Sequence, residues 1–290
     1  MTGSTLRRPT ASASAPPAEA RPRGVLVTGG GRRLGAAVCE AFARAGWQVW
    51  CQYRGSRDAA RALCERLRDE GGNALAVEAD IAGAAGRAEL MAAVSAGGAL
   101  DCVVNNASAF EPDTGLDFEA DAALRQLGVN LVAPLDFARL LARQGAAAGG
   151  DGVDRSAIHI LDQKVYNLNP DYFSYTVSKL ALERAVALQA QALAPAVRVC
   201  GVAPGLMFES GPQDGENFRR AARANLLRRP IDPDDVARAC VFLAGTPGAT
   251  GTTLCIDNGQ HLVPLERDIM FVVDELLHPH PDDPQKAPPP

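Results

Sequence analysis

Tyr175 and Lys179 stand four positions apart in Tyr175-Thr176-Val177-Ser178-Lys179. On a helix that spacing puts both side chains on one face. A phenol is a poor proton donor at neutral pH, because its reference pKa is near 10. A neighbouring ammonium favours the phenolate and lowers that value. The pair therefore predicts a general acid/base. Tyr166 and Tyr172 have no lysine four residues on, so Tyr175 is the candidate.

A different chemistry is written near the N-terminus. The run Thr28-Gly29-Gly30-Gly31-Arg32-Arg33-Leu34-Gly35 follows a short apolar segment and precedes a helical pattern. Glycines there let the backbone turn tightly and approach a pyrophosphate, which then rests on the helix N-terminus. A flexible turn is the competing reading of the glycines taken alone. The form of the dinucleotide is read further on. An NAD site places an acid about 20 residues past the first glycine to hold the ribose 2′-hydroxyl. Residues 51–56 read Cys-Gln-Tyr-Arg-Gly-Ser and contain no acid. Arg54 and Ser56, with Arg32 on the preceding loop, suit the oxygens of a 2′-phosphate. Arg54 by itself reads equally as a solvated loop arginine. Together the three predict NADP(H) as the cofactor.

The elements that must carry these residues alternate. Apolar runs at 24–28, 47–51, 74–78, 100–105, 156–161, 197–202 and 253–257 predict strands. Helical patterns cover 36–45, 57–70, 118–144 (with Pro134 inside) and 172–193. Strand-helix-strand repetition predicts a parallel sheet with helices on both faces. The runs are continuously apolar, as strands buried on both sides are. The fold class is thus α/β: a single Rossmann-type domain, a doubly wound seven-stranded parallel sheet, over 23–265. Residues 1–22 hold Pro9, Pro16, Pro17 and Pro22 and read as a disordered extension rather than an amphipathic import leader. Residues 266–290 form a C-terminal extension, disordered from about 279 by its proline content.

In order and spacing these motifs resemble the short-chain dehydrogenase/reductase family over residues 23–261. That family writes T-G-x-x-x-G-x-G at the first turn; here Arg33 replaces the middle glycine. The replacement resembles the pteridine reductase and dihydromonapterin reductase branch. The resemblance implies that Thr28, Gly29, Arg33, Leu34 and Gly35 hold the cofactor, that Asp80 and Ile81 lie at its adenine, and that Asn106, Ala107 and Ser108 pack over it. It implies Pro204 and Gly205 beside the nicotinamide and a variable substrate lid over 206–227. It implies that Asn130 helps hold a water relaying protons to Lys179. Most members carry a serine where this chain has Asp162, and the branch shares the acid. Ser108 and Phe110 match its substrate pocket, where an aromatic stacks on a pterin. The branch thus implies a substrate site of Arg33, Ser108, Phe110, Asp162 and Tyr175. Phe110 as a half-buried loop aromatic, and Asp162 as a loop cap in a variant carbonyl reductase, are the competing readings.

The expected function is NADPH-dependent reduction of a pterin-like C=N bond. An NADPH-dependent ketone or aldehyde reductase is the alternative, and a non-catalytic NADP-binding regulator a third. Bulk properties narrow the partners. The net charge of -5 offers no basic field for nucleic acid. No apolar run approaches the roughly 20 residues that span a bilayer. Seven widely spaced cysteines, none in a C-x-x-C pair, read as reduced core residues of a cytoplasmic protein. No metal site is expected. The resemblance implies a homo-oligomer, dimer or tetramer.

Overall fold

In the computed structural model, which describes residues 21–147, 154–211 and 213–277, seven parallel strands form one sheet in the order β3-β2-β1-β4-β5-β6-β7. The first half is β1 (Gly24–Val27), α1 (Arg33–Arg44), β2 (Gln48–Tyr53), α2 (Arg57–Asp69), β3 (Asn73–Glu78), α3 (Ala84–Gly97) and β4 (Cys102–Asn105). The second half is α4 (Ala120–Leu127), a π-helical turn (Gly128–Val132), α5 (Ala133–Ala147), β5 (Ser156–Ile160), α6 (Phe173–Leu193), β6 (Arg198–Pro204), α7 (Gly215–Ala221), α8 (Pro233–Gly245), β7 (Thr253–Ile256) and α9 (Ile269–Leu277). The doubly wound parallel sheet expected from the sequence is observed. The readings of residues 1–20 and of the tail from 279 lie outside the described residues.

The strand period sorts side chains to two faces. Val25, Val27, Val49, Cys51, Val104 and Ile158 point to a core shared with α1, α2 and α8. Leu26, Trp50, Val103, Ala157 and Val199 point to the opposite core, under α3, α5 and α6. Each such fully buried aliphatic contributes roughly 1.5–3 kcal/mol. The cysteines follow this pattern: all seven are free thiols, and six are buried.

One sequence expectation is corrected, and two helices are added to those expected. The single helix over 118–144 is two helices joined by the π-helical turn, and Pro134, which cannot donate to the helical ladder, lies directly after that turn at the start of α5. Helix α3 was not foreseen; its alanines and glycines show a weak apolar stripe. Helix α8 was not foreseen either, although Asp232 accepts from the Asp234 N–H and Pro233 opens the helix, which is a readable start signal. Past Leu265 the chain continues into α9, where Ile269 and Val273 bury against Ala221 of α7.

Strand order reverses between β1 and β4, and the carboxyl ends of strands at such a point form a crevice. Among the described residues no helix is long and apolar enough to cross a membrane.

Candidate active site

The crevice is a cleft of about 780 Å³ at those strand ends. Its first wall is the glycine turn. Gly29 has φ +63°, and a Cβ on Gly35 would lie 2.2 Å from the Gly29 carbonyl oxygen, so both positions require glycine. A Cβ on Gly31 would meet Ser56 Oγ at 2.8 Å. Thr28 stands behind the turn: its Oγ1 accepts from the Asn106 and Ala107 N–H groups at 2.9 and 3.0 Å. The Asn106 amide donates to the Thr28 carbonyl at 2.9 Å, tying the β1 and β4 loops together.

Gln52 is a functional residue outside the set that the motifs pick out. Its Oε1 accepts from Gly29 N at 2.8 Å and its Nε2 donates to the Ala79 carbonyl at 2.8 Å. It pins the ends of β1, β2 and β3 in one register. A glutamine inside an apolar strand run, at a strand end, was the available signal. Arg32, Arg54 and Ser56 line the same end of the cleft. Arg32 and Arg54 are exposed and have no acidic partner among the described residues. Ser56 begins α2 without a side-chain cap bond. Asp80 and Ile81 line the cleft beside them; the Asp80 carboxylate accepts from Ala82 N at 3.0 Å.

Arg33 has φ +51°, a left-handed conformation that costs a non-glycine residue about 1–2 kcal/mol. The family's usual glycine there is explained by that angle. Its guanidinium donates to the Glu209 carbonyl at 2.7 Å and lies 5.6 Å from the Phe208 ring centre. Arg33 thus bridges the glycine turn to the segment 206–211 across the cleft. Pro204 ends β6, and a Cβ on Gly205 would press against Gln260 Oε1 at 2.4 Å. Gln260, also outside the set that the motifs pick out, accepts there from Leu206 N at 2.8 Å.

The proton-transfer candidates converge at the cleft floor. Tyr175 Oη donates to Asp162 Oδ2 at 2.8 Å, and Lys164 N donates to Asp162 Oδ1 at 2.9 Å. Burial raises the Asp162 carboxyl above its usual range. Burial, and then the Asp162 charge, push the Tyr175 phenol well above 10. The lowering by Lys179 that the sequence predicts is therefore not what this arrangement produces. Lys179 Nζ donates to the Ile160 carbonyl at 2.7 Å and lies 5.7 Å from the Tyr175 ring centre. Burial holds Lys179 down to about 8.

Asn130, in the π-helical turn, has a fully used amide. Its Oδ1 accepts from Ala109 N at 2.8 Å and Ser108 Oγ at 3.2 Å. Its Nδ2 donates to the Ala109 carbonyl at 2.9 Å and to Ser178 Oγ at 3.0 Å. The side chain anchors the Ser108–Ala109 loop to α6. The next residue, Phe110, stacks on Tyr172 at 4.2 Å and meets Tyr175 edge-on at 4.7 Å. It lines the cleft and is 37% exposed, so part of its ring remains open. Of the residues singled out by sequence, all line the cleft except Thr28 and Asn130, which support it from behind.

The arrangement offers a dinucleotide-sized cradle ending at a buried acid pair and an aromatic. Comparison with known proteins agrees. The family profile described as Enoyl-(Acyl carrier protein) reductase matches residues 30–261. An uncharacterized oxidoreductase of Mycobacterium tuberculosis is 35% identical over 245 residues, covering 81% of this chain and 90% of that protein. The dihydromonapterin reductase of Citrobacter koseri is 30% identical over 250 residues, covering 83% of this chain and 98% of that protein. The crystal structure of FolM alternative dihydrofolate reductase 1 from Brucella suis, in complex with NADP, superimposes with a TM-score of 0.76 at 36% identity, covering 82% of this chain and 95% of that one. By the span of the family match and these identities, the chain belongs to the short-chain dehydrogenase/reductase family.

Proposed function

We propose that this protein is an NADPH-dependent reductase of pterin-like C=N substrates, with Tyr175 as proton donor. The observation that carries the reading is the Tyr175–Asp162 hydrogen bond at 2.8 Å beside the partly open face of Phe110. Ketone reduction builds negative charge on oxygen, and an ionised carboxylate beside it opposes the transition state. A pterin accepts its proton on nitrogen and presents ring N–H and amino groups. A carboxyl group can accept hydrogen bonds from those, or donate once protonated. Names among the relatives, dihydromonapterin reductase and FolM alternative dihydrofolate reductase, support the same class.

NADPH supplies the hydride when bound. The residues present fit it: glycines whose Cβ atoms would fill the turn, a helix N-terminus behind them, and unpaired Arg32 and Arg54 near Ser56 for the 2′-phosphate. Asn106, Ala107 and Ser108 form the opposing wall, and Pro204 and Gly205 close the nicotinamide end. Phe110 gives a flat heterocycle a stacking face. Arg33 stands at the substrate mouth. Lys179 and Asn130 hold the strand and loop ends around Tyr175. The proton passes from the Tyr175–Asp162 pair to the substrate nitrogen; the two titrate as a unit. Burial raises both members of that unit, which favours holding the transferable proton on it.

We read the protein as cytoplasmic, from its seven free thiols. We read it also as a homodimer or homotetramer, supported by exposed Leu124, Val132, Val177 and Leu188 on α4 to α6. The substrate reading is tested by Asp162→Ser. The variant is expected to lose dihydropterin reduction, to keep NADPH binding and to gain weak ketone reduction. A wild type that ignores every pterin, reduces ketones well and is unchanged by Asp162→Ser is a generic carbonyl reductase instead.

A further inference from the structure

The chain beyond Leu265 returns to the cleft and touches the acid pair through one lysine. Lys164 Nζ donates to Asp268 Oδ2 at 2.9 Å, to Asn169 Oδ1 at 2.9 Å and to the Asp171 carbonyl at 3.1 Å. All three of its hydrogens are thereby used, and the residue is 4% exposed, so it is not a cation awaiting an anionic ligand. Its backbone N–H donates to Asp162 Oδ1, and the other carboxyl oxygen of Asp162 accepts the hydrogen bond from the Tyr175 hydroxyl. A continuous path therefore runs from Asp268 through Lys164 and Asp162 to the phenol. The far end is itself clamped. Arg267 grips Asp171 with two prongs, Nε to Oδ2 at 2.8 Å and Nη2 to Oδ1 at 2.7 Å, and Asp268 N donates to Asp171 Oδ2 at 2.7 Å. A buried ion pair is a weak device for stability, since apolar residues of the same volume often do as well or better. Its location beside the reacting group gives it another use.

We propose that Lys164 and Asp268 are positioning residues for proton transfer, the C-terminal segment fixing through them the orientation and the electrostatic setting of Asp162 and Tyr175. The inference rests on that pair being the proton source. The charged groups facing Tyr175 and Asp162 are Lys179 on α6, Lys164 on the turn after β5, and Asp268 on the C-terminal segment; Asp171 is paired with Arg267. The Asp268 charge pushes Tyr175 up, and the Lys164 charge pulls Asp162 down, so the two offset one another at the acid pair. Removing either one unmasks the other.

The test is the pH dependence of kcat/KM for whichever substrate, dihydropterin or ketone, the wild type reduces. Reduction needs a protonated acid and is lost as pH rises through its pKa. Asp268→Asn leaves the Lys164 ammonium unbalanced, so this alkaline limb moves to lower pH. Lys164→Met leaves the Asp268 carboxylate unbalanced, so the limb moves to higher pH. Each displacement is expected to be about one pH unit. The double variant returns toward wild type, and Lys164→Arg, which keeps the charge, stays near it. Lys179 is untouched in every variant. A limb that does not move, or that moves the same way in both single variants, overturns the proposal and leaves the pair a structural clamp. Thermal unfolding of each variant identifies one that fails to fold, and Lys164→Gln then replaces Lys164→Met. Tyr175→Phe is run alongside: full activity in it refutes the proton source, whereas an inactive Tyr175→Phe with unmoved limbs refutes this inference alone.

Discussion

At the scale of single residues, the acid pair is governed by burial rather than by the lysine. Lys179 spends a hydrogen on the Ile160 carbonyl, and the Tyr175 proton is shared with Asp162 instead. Tyr175→Phe keeps the ring packing against Phe110 and removes the donor. Turnover is expected to fall about 10²-fold or more, the usual scale for a positioned acid, with NADPH affinity retained. Stopped-flow or steady-state NADPH oxidation checks this; near-normal turnover would assign the proton to another group. Tyr175 was legible because its spacing from Lys179 carries the chemistry, and Asp162 because the family resemblance marks its position. Lys164 and Gln260 were not. The contacts that give them meaning join residues 104 and 54 positions apart, and no local pattern announces such a partner.

At the scale of elements, the strand ends do the selecting. The end of β2 delivers Gln52 to the glycine turn and opens onto Arg54 and Ser56, and no acid stands there. NADPH is expected to bind at least tenfold more tightly than NADH, since a charge-assisted phosphate contact is lost with NADH. One decade is about 1.4 kcal/mol, well within what such contacts supply. Arg54→Ala should narrow that ratio. Equal affinities for the two cofactors by fluorescence titration would refute the 2′-phosphate role of Arg54 and Ser56. The glycine turn was readable because only glycine tolerates the Gly29 angle and the Gly35 approach. The break at Gly128–Val132 was not, because α4, the π-helical turn and α5 follow one another with no intervening loop, and Pro134 is the lone sign. That turn matters to the site: it places the Asn130 amide between the Ala109 loop and α6.

At the scale of the whole molecule, the alternation of apolar runs with helical patterns was enough to predict the parallel sheet, since a strand buried on both faces has no polar side to show. The wall contributed by Asp268 and Met270 escaped notice because composition there suggests an extension, not a return to the cleft. The same core sets an acid limit on stability. His159 is fully buried between Asn105 and Gln189, at 3.1 Å from each, and burial lowers its pKa to about 4. The unfolded chain binds that proton near pH 6.5, so the contribution is present above 6.5 and is lost as pH falls toward 4. The loss amounts to roughly 3 kcal/mol across that window. His159→Gln should flatten it in urea unfolding measured at several pH values; identical slopes for variant and wild type would contradict the assignment.

Wild-type turnover reports the substrate class of this cleft most directly. Steady-state NADPH oxidation is measured with dihydromonapterin and dihydrobiopterin against a panel of ketones and aldehydes. For at least one dihydropterin, kcat/KM is expected to exceed that for every carbonyl compound in the panel. Efficient carbonyl reduction with no measurable turnover of either dihydropterin would contradict it.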